Sequence, residues 1–216
     1  MKQVIFKSRK EAEASQPSLE WAVISINGLD PARLQAGWLE VLRVEFDDVD
    51  VAEEPHILFS DYEARQIEQF VARVNDKGVE GILVHCNAGI SRSAAVAKWI
   101  AEKHDLPFPA GYMLYNKHVY RVLMEMDAEN QYLATLPTTG LRAYVMDLAK
   151  QNGVVYQKTN LDELAEVITR LSDDEVKTDD VQDTLLALLR AGVLNKGEWM
   201  QLLINYLREL KSEGKL

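Results

Sequence analysis

Hydrophobic positions repeat with two different periods along this chain, and the period separates strands from helices. Four short runs have the alternating or β-branched pattern of strands: residues 3–6, 21–26, 41–46 and 82–84. Before the fourth run, apolar residues recur three and four positions apart behind Ser60 and Glu63, a capping-box pair that predicts a helix start. A second helical pattern follows that run. Strands that alternate with helices predict an α/β fold with a central mixed or parallel sheet flanked by helices.

The pattern changes at about residue 136, beyond which helices are predicted. Turn-forming residues over 137–140 mark the change, and pairs of Asn160 with Glu163 and Asn195 with Glu198 predict two helix starts. We therefore predict three segments: an α/β domain over residues 1–137, a linking helix and turn over residues 138–154, and a helical module over residues 155–216. The apolar helix faces of this module suit an interaction surface, a homodimer contact or a cap on the first domain.

Composition narrows the classes of partner. Lys and Arg total 24 against 34 for Asp and Glu, a formal net charge of −10, which disfavours nucleic acids and anionic membrane surfaces. A single cysteine excludes an internal disulfide, and the histidines show no metal-binding spacing. No apolar run approaches the roughly 18 residues of a membrane span. The sequence therefore predicts a cytoplasmic protein that binds neither nucleic acid nor membrane.

The candidate chemistry lies directly after the fourth strand. His85 and the only cysteine, Cys86, end that strand, and Arg92 and Ser93 begin the following helix. Five small or neutral residues connect them: Asn87, Ala88, Gly89, Ile90 and Ser91. Such a loop can turn its backbone N–H groups inward to form an anion site, and the helix dipole adds positive potential that favours a thiolate. An inert buried thiol is the alternative interpretation of Cys86.

Each flanking residue suits a particular role in anion binding. Arg92 can hold two phosphate oxygens with its planar guanidinium, and Gly89 provides the backbone freedom that a tight loop requires. Ser93 either donates a hydrogen bond to the sulfur or caps the helix, and both interpretations stay open. We expect His85 to support the loop by hydrogen bonding and to take no part in proton transfer.

The pattern His85-Cys86-x5-Arg92-Ser93 resembles the signature loop of the protein tyrosine phosphatase superfamily. The compact layout over about residues 1–135 is similar to the dual-specificity branch of that superfamily, whereas the C-terminal third has no counterpart in it. The resemblance implies that the thiolate attacks phosphorus to form a cysteinyl-phosphate, which water then hydrolyses. It assigns the loop from Asn87 to Arg92 to phosphate binding, and it implies that no metal ion or other cofactor is needed.

The resemblance also implies a general acid on a loop upstream of the cysteine. Asp47 and Asp48 directly follow the third predicted strand. The pattern of the superfamily favours Asp48 as the acid, which would protonate the leaving group and later activate water. Asp47 is the alternative acid and Asp50 the third candidate, and a solvated acidic turn is the alternative interpretation of these residues.

The neutral loop also bears on the substrate. Residues 87–91 contain no lysine or arginine, which disfavours a polyphosphorylated inositol ring and favours phosphotyrosine in proteins, with phosphoserine and phosphothreonine left open. Tyr112, Tyr115 and Tyr120 either line a phosphotyrosine cleft or pack within the fold, and Asn116 is a candidate for positioning the hydrolytic water. A phosphoprotein-binding module without turnover and a rhodanese-like sulfur-transfer enzyme are the alternative functions.

Overall fold

A computed structural model describes residues 1–28, 30–159 and 178–215. Its strands are β1 (Gln3–Ser8), β2 (Trp21–Asn27), β3 (Glu40–Glu45) and β4 (Gly81–Cys86). Its helices are α1 (Arg9–Glu13), α2 (Asp61–Asp76), α3 (Arg92–Lys103), α4 (Lys117–Leu133), α5 (Leu141–Gln151), α6 (Asp180–Arg190) and α7 (Lys196–Ser212). The helix predicted behind Asn160 lies outside the described residues.

The four strands form one parallel sheet in the order β1-β4-β2-β3. The predicted α/β class is therefore confirmed, and the choice between a mixed and a parallel sheet is resolved in favour of parallel pairing for the described strands. β4 is central, with β1 and β2 as its neighbours, and all six of its residues are buried. An apolar run without alternation is typical of such a strand, because helices cover both faces of a parallel sheet.

Helix starts and buried helix faces follow from the sequence. Ser60 and Glu63 form the predicted capping box of α2, whose buried face is Ala64, Ile67, Phe70, Val71 and Val74. In α3, small and apolar residues are buried on most sides, and Trp99 is the largest of them. Its indole N–H donates to the carboxylate of Asp127 on α4 at 2.6 Å, which satisfies the polar atom of an otherwise apolar side chain. This hydrogen bond joins α3 to α4.

The chain divides into two compact units, Met1–Glu129 and Asn130–Leu216. The second unit has its own hydrophobic cluster, to which α5, α6 and α7 contribute buried side chains: Leu141, Val145, Leu185, Leu188, Leu202 and Tyr206. The predicted boundary at residues 137 and 138 falls inside this unit, and α5, predicted as a linking helix, shares its core. The turn formers over 137–140 mark a bend before α5. No helix among the described residues is long and apolar enough to cross a membrane.

Candidate active site

Cys86 lies at the carboxyl end of the central strand, where ligands of parallel α/β sheets commonly bind. Its side chain is buried, and its Sγ lies 3.2 Å from the hydroxyl of Ser93 on α3. The N–H of Gly89 donates to the same sulfur at 3.3 Å. Ser93 therefore contacts the sulfur, while Ser91 occupies the N-cap position of α3. Both polar contacts can stabilise a negative charge on sulfur.

The loop that follows Cys86 directs several carbonyl groups away from its centre. The carbonyl of Asn87 accepts from the N–H of Arg9, and the carbonyl of Ile90 accepts from the hydroxyl of Tyr112 at 2.8 Å. The carbonyl of Ser91 accepts from the N–H of Asn116. In a trans peptide the carbonyl and the next N–H point in opposite directions. The N–H groups that follow these carbonyls therefore point toward the interior of the loop, as an anion site requires.

Gly89 is the one loop position that no other residue can occupy without strain. Its φ is 73°, in the left-handed region, and a Cβ atom there would lie 2.2 Å from the backbone nitrogen of Ser8. The loop thus packs directly against the end of β1. The sequence predicted the conformational freedom at Gly89, and the structure adds that close contact as a second reason for glycine.

Arg92 is the first residue of α3 and reaches toward the end of β3. Its Nη1 donates to the carbonyl of Phe46 at 2.7 Å. Its Nε is buried, with no hydrogen-bond partner among the described residues. A buried guanidinium N–H that lacks a partner among these residues is a donor that an anion's oxygen would satisfy.

Asp48 lies beside the same loop. Its Oδ1 accepts from the hydroxyl of Ser91 at 2.7 Å and from the side-chain amide of Asn116 at 2.9 Å. Asn116 also accepts from the N–H of Val119, which caps the start of α4. The structure thus brings Asp48 to the cysteine loop, across 43 residues of sequence from Ser91.

The side chain of Asp47 contacts residues outside the cysteine loop. Its Oδ2 accepts from the N–H of Ile57 at 2.9 Å and lies 3.4 Å from Nδ1 of His56. The hydrogen bond from Ile57, opposed by partial burial and aided by His56 and the charge of Arg92, lowers the pKa of Asp47. The lowered pKa favours the ionised form of Asp47, whose hydrogen bond comes from Ile57 and not from the cysteine loop.

His85 is buried beneath the loop. Burial, with a smaller effect of the positive charge of Arg43, lowers its pKa to about 4, although the backbone of Cys86 acts in the opposite direction. Neither ring nitrogen has a hydrogen-bond partner among the described residues, so the hydrogen bond expected of His85 is not observed there. The ring lines a pocket together with Asn27, Asn87 and Arg92.

Three tyrosines follow α3, and they differ in their contacts. Tyr112 bonds to the cysteine loop and packs against Phe6 of β1, with ring centroids 5.2 Å apart. Tyr115 and Tyr120 contact each other edge to face at 5.2 Å, and the hydroxyl of Tyr120 donates to Glu102. These contacts support the packing interpretation for Tyr115 and Tyr120. Tyr112 lies at the site itself.

The structure gathers the predicted residues Cys86, Ser93, Arg92 and Asp48 around one loop, together with residues 87–91. Asn116 contacts Asp48, an interaction that its sequence position did not reveal. The available signal was its place before α4, where Asn is typical of a helix cap. Helix capping alone predicts no contact with a residue 68 positions upstream.

Comparison with known proteins gave matches at the level of solved structures. No protein-family model matches the chain, and no curated protein sequence matches it. It is similar to the human tyrosine phosphatase-like serine/threonine/tyrosine-interacting protein, with 17% identity, a TM-score of 0.44, and coverage of 59% of this chain and 93% of that chain. It is also similar to human DUSP28, with 16% identity, a TM-score of 0.42, and coverage of 60% and 94%. At this level the resemblance is one of fold.

Proposed function

We propose that this protein is a cysteine-dependent phosphomonoester hydrolase that acts on phosphotyrosine in proteins. The observation that carries the proposal is the convergence of Cys86, Arg92 and Asp48 on one loop, with Asp48 bonded directly to Ser91 of that loop. A nucleophile, a fixed cation and a general acid are the three groups that phosphoryl transfer to a thiolate requires. Phosphoserine and phosphothreonine are the finer alternatives.

In the first step, the thiolate of Cys86 attacks phosphorus while the inward N–H groups and Arg92 bind the equatorial oxygens. Arg92 would exchange its bond to the carbonyl of Phe46 for bonds to phosphate. The proton of Asp48 passes to the leaving oxygen as the phosphorus–oxygen bond breaks. The products of this step are the dephosphorylated hydroxyl and a cysteinyl-phosphate.

In the second step, water attacks the cysteinyl-phosphate and the sulfur leaves. Asp48, now deprotonated, accepts the proton of that water. Ser93 stabilises the departing thiolate by a hydrogen bond across the 3.2 Å that separates the two side chains. Asn116 acts on the acid through its 2.9 Å bond to Asp48, which makes it a positioning residue.

The test is hydrolysis of an aryl phosphate in buffer that contains a chelator. We expect turnover by the wild type and a loss of at least about 10³-fold in kcat for Cys86→Ser, since an alcohol at this site is a poor nucleophile. Arg92→Lys keeps the charge but loses the planar fork, and it should reduce kcat/KM strongly. Full activity of Cys86→Ser would overturn the proposal.

The alternative functions give different results in the same assay. A phosphoprotein-binding module would bind a phosphopeptide without turnover in the wild type. A rhodanese-like enzyme would transfer sulfur from thiosulfate and would be insensitive to Asp48→Asn. We further propose that the protein is cytoplasmic and that its partner is a phosphorylated protein. We also propose that it forms a homodimer through α6 and α7.

A further inference from the structure

The mouth of the cysteine loop has an apolar rim, which we define as Ile90, Met113 and Leu114. These side chains are 46%, 65% and 67% exposed, although all three are hydrophobic. Isolated exposed hydrophobic residues are ordinary on protein surfaces, whereas a contiguous group beside a site commonly contacts a ligand. Contact with a ligand would account for the exposure of these three side chains.

Two hydrogen bonds attach the segment that carries Met113 and Leu114 to the part of the loop that carries Ile90. Tyr112 donates to the carbonyl of Ile90 at 2.8 Å, and the N–H of Asn116 donates to the carbonyl of Ser91. Both ends of residues 112–116 are thus attached to adjacent loop residues, and Met113 and Leu114 lie between the two attachments. The short span places them along the border of the loop.

The rim is also held in a fixed position. Tyr112 packs against Phe6 of β1 at 5.2 Å and against Phe108 at 6.0 Å between ring centroids. Asn116 is buried and caps α4 through its bond to the N–H of Val119. Apolar side chains on a segment that is anchored at both ends form a preformed contact surface, which costs a ligand little ordering on binding.

The charges around the cysteine loop favour one kind of substrate over another. Residues 87–91 carry no charge, and Arg9, which lines a pocket with Asn87, is already paired with Glu13 and Asp30. The protein as a whole has a formal net charge of −10, which would repel an acidic neighbour of the phosphate. The rim offers an apolar surface instead.

We infer that the substrate is a phosphotyrosine peptide with a hydrophobic residue within two positions of the phosphotyrosine, which contacts Ile90, Met113 and Leu114. This inference rests on the proposed phosphatase activity and names the sequence context that the site would select. An extended peptide advances about 3.3 Å per residue, so a side chain two positions away lies about 7 Å along the chain from the phosphotyrosine.

The experiment compares two phosphotyrosine peptides that differ only beside the phosphotyrosine, one with Leu and Met there and the other with Asp and Glu. We expect the wild type to favour the apolar peptide by about tenfold in kcat/KM. The double variant Met113→Ser, Leu114→Ser should reduce that ratio to about threefold or less, with aryl phosphate hydrolysis changed by no more than about twofold.

Leu19→Ser is the matched control. Leu19 is 72% exposed and lies before β2, at the opposite end of the sheet from the cysteine loop, so its substitution should leave the peptide ratio unchanged. A ratio that the double variant does not alter would overturn the inference, as would a wild type that hydrolyses aryl phosphate but shows no preference between the peptides. Absence of aryl phosphate hydrolysis would instead overturn the phosphatase proposal.

A second copy of the chain is the other occupant that the experiment distinguishes. If the rim were a self-association surface, sedimentation would show a larger mass for the wild type than for the double variant, and the peptide ratio would be equal in both. That result would overturn the inference. We expect equal masses for the two proteins.

Discussion

Asp47 and Asp48 are adjacent in sequence, yet their side chains make different contacts. Asp48 contacts Ser91 and Asn116 beside the nucleophile, whereas Asp47 contacts Ile57 and His56 on its own loop. The hydrogen bond from Ile57 lowers the pKa of Asp47 and joins its carboxylate to residue 57, whereas Asp48 is bonded to the cysteine loop. The residue that donates the proton is therefore expected to be Asp48.

Asp48→Asn should lower kcat about 10²- to 10⁴-fold and remove the fall in kcat/KM at high pH, because that fall reports loss of the proton from the acid. The loss should be larger for a phenyl phosphate, a poor leaving group, than for a nitrophenyl phosphate. Asp47→Asn is the matched control and should retain the high-pH fall. If Asp47→Asn alone removed it, Asp47 would be the acid.

His85 gives a pH dependence to stability. Its pKa of about 4 in the folded protein lies below the ordinary 6.5, so the unfolded chain binds the proton more readily between those values. The free energy of unfolding should therefore fall as the pH decreases from about 6.5 to about 4. Protonation of His85 should destabilise the folded protein by up to about 3 kcal/mol at low pH, of which about 2 kcal/mol applies at pH 5.

Urea denaturation at pH 7 and pH 5 tests this expectation with His85→Gln against His104→Gln. Burial also lowers the pKa of His104, so both histidines contribute to the loss in the wild type. The His85 variant should show the smaller decrease between the two pH values. An NMR signal of the His85 ring that titrates near 6.5 would contradict the explanation.

Contacts within one stretch of sequence could be predicted, whereas contacts between distant residues could not. Cys86, Arg92 and Gly89 lie in one short stretch, so their spacing predicted a loop between strand and helix that the structure contains. Asp48 and Asn116 meet only because the fold brings distant segments together, and no local pattern encodes that contact. The lack of a hydrogen-bond partner for the His85 ring among the described residues could not be predicted either, because hydrogen bonding depends on neighbours from other elements.

At the level of elements, the loop depends on the place where β1 passes into α1. Gly89→Ala would put a Cβ against the backbone of Ser8 as well as straining a φ of 73°. Gly78→Ala is the matched control, because its φ is 74° and no atom lies within 4 Å of the added carbon. We expect Gly78→Ala to cost about 1 kcal/mol and Gly89→Ala at least about 2 kcal/mol more, by chemical denaturation.

Activity provides a second comparison for the same pair. Gly89→Ala should lose most aryl phosphate hydrolysis, because the N–H that donates to Cys86 belongs to the displaced residue. Gly78→Ala should retain it. Equal destabilisation by the two substitutions would show that the contact with Ser8 adjusts without cost.

Other elements were predicted unequally well. The capping pairs at Ser60 and Asn195 are observed at the starts of α2 and α7, since such signals act within one turn. The relation of α5 to its neighbours was harder to foresee. A turn before a helix resembles a linker in sequence, whereas the burial of Leu141 and Val145 against α6 and α7 depends on long-range packing.

At the level of the whole molecule, the shared core of α5, α6 and α7 determines where the chain can be cut. A fragment of residues 1–154 keeps α5 but removes its partners, so it exposes Leu141, Val145 and Ala149. We expect this fragment to aggregate and to bind a hydrophobic dye. A fragment of residues 1–133 ends with α4 and should stay soluble, with aryl phosphate kcat/KM within about threefold of the full chain.

Light scattering and activity assays on the two fragments and the full chain provide the measurement. A soluble fragment of residues 1–154 with the activity of the full chain would show that α5 does not need the helices after it. The mass of the full chain in the same experiment tests the proposed homodimer, which a monomeric mass would exclude.

The central position of β4 also determines which part of the site is mobile. Because β4 is paired on both sides, its amide hydrogens should be among the slowest to exchange with deuterium in the first unit. Residues 47–58 belong to no strand of the described sheet, and they are held by the bond from the N–H of Asp47 to the carbonyl of Ile57 and by the contact of Asp48 with Ser91. A bound phosphate analogue such as vanadate should therefore slow exchange at residues 47–58 and leave β4 unchanged. Cys86 would then stay in place when a phosphate binds, and Asp48 would move with the surface loop that carries it.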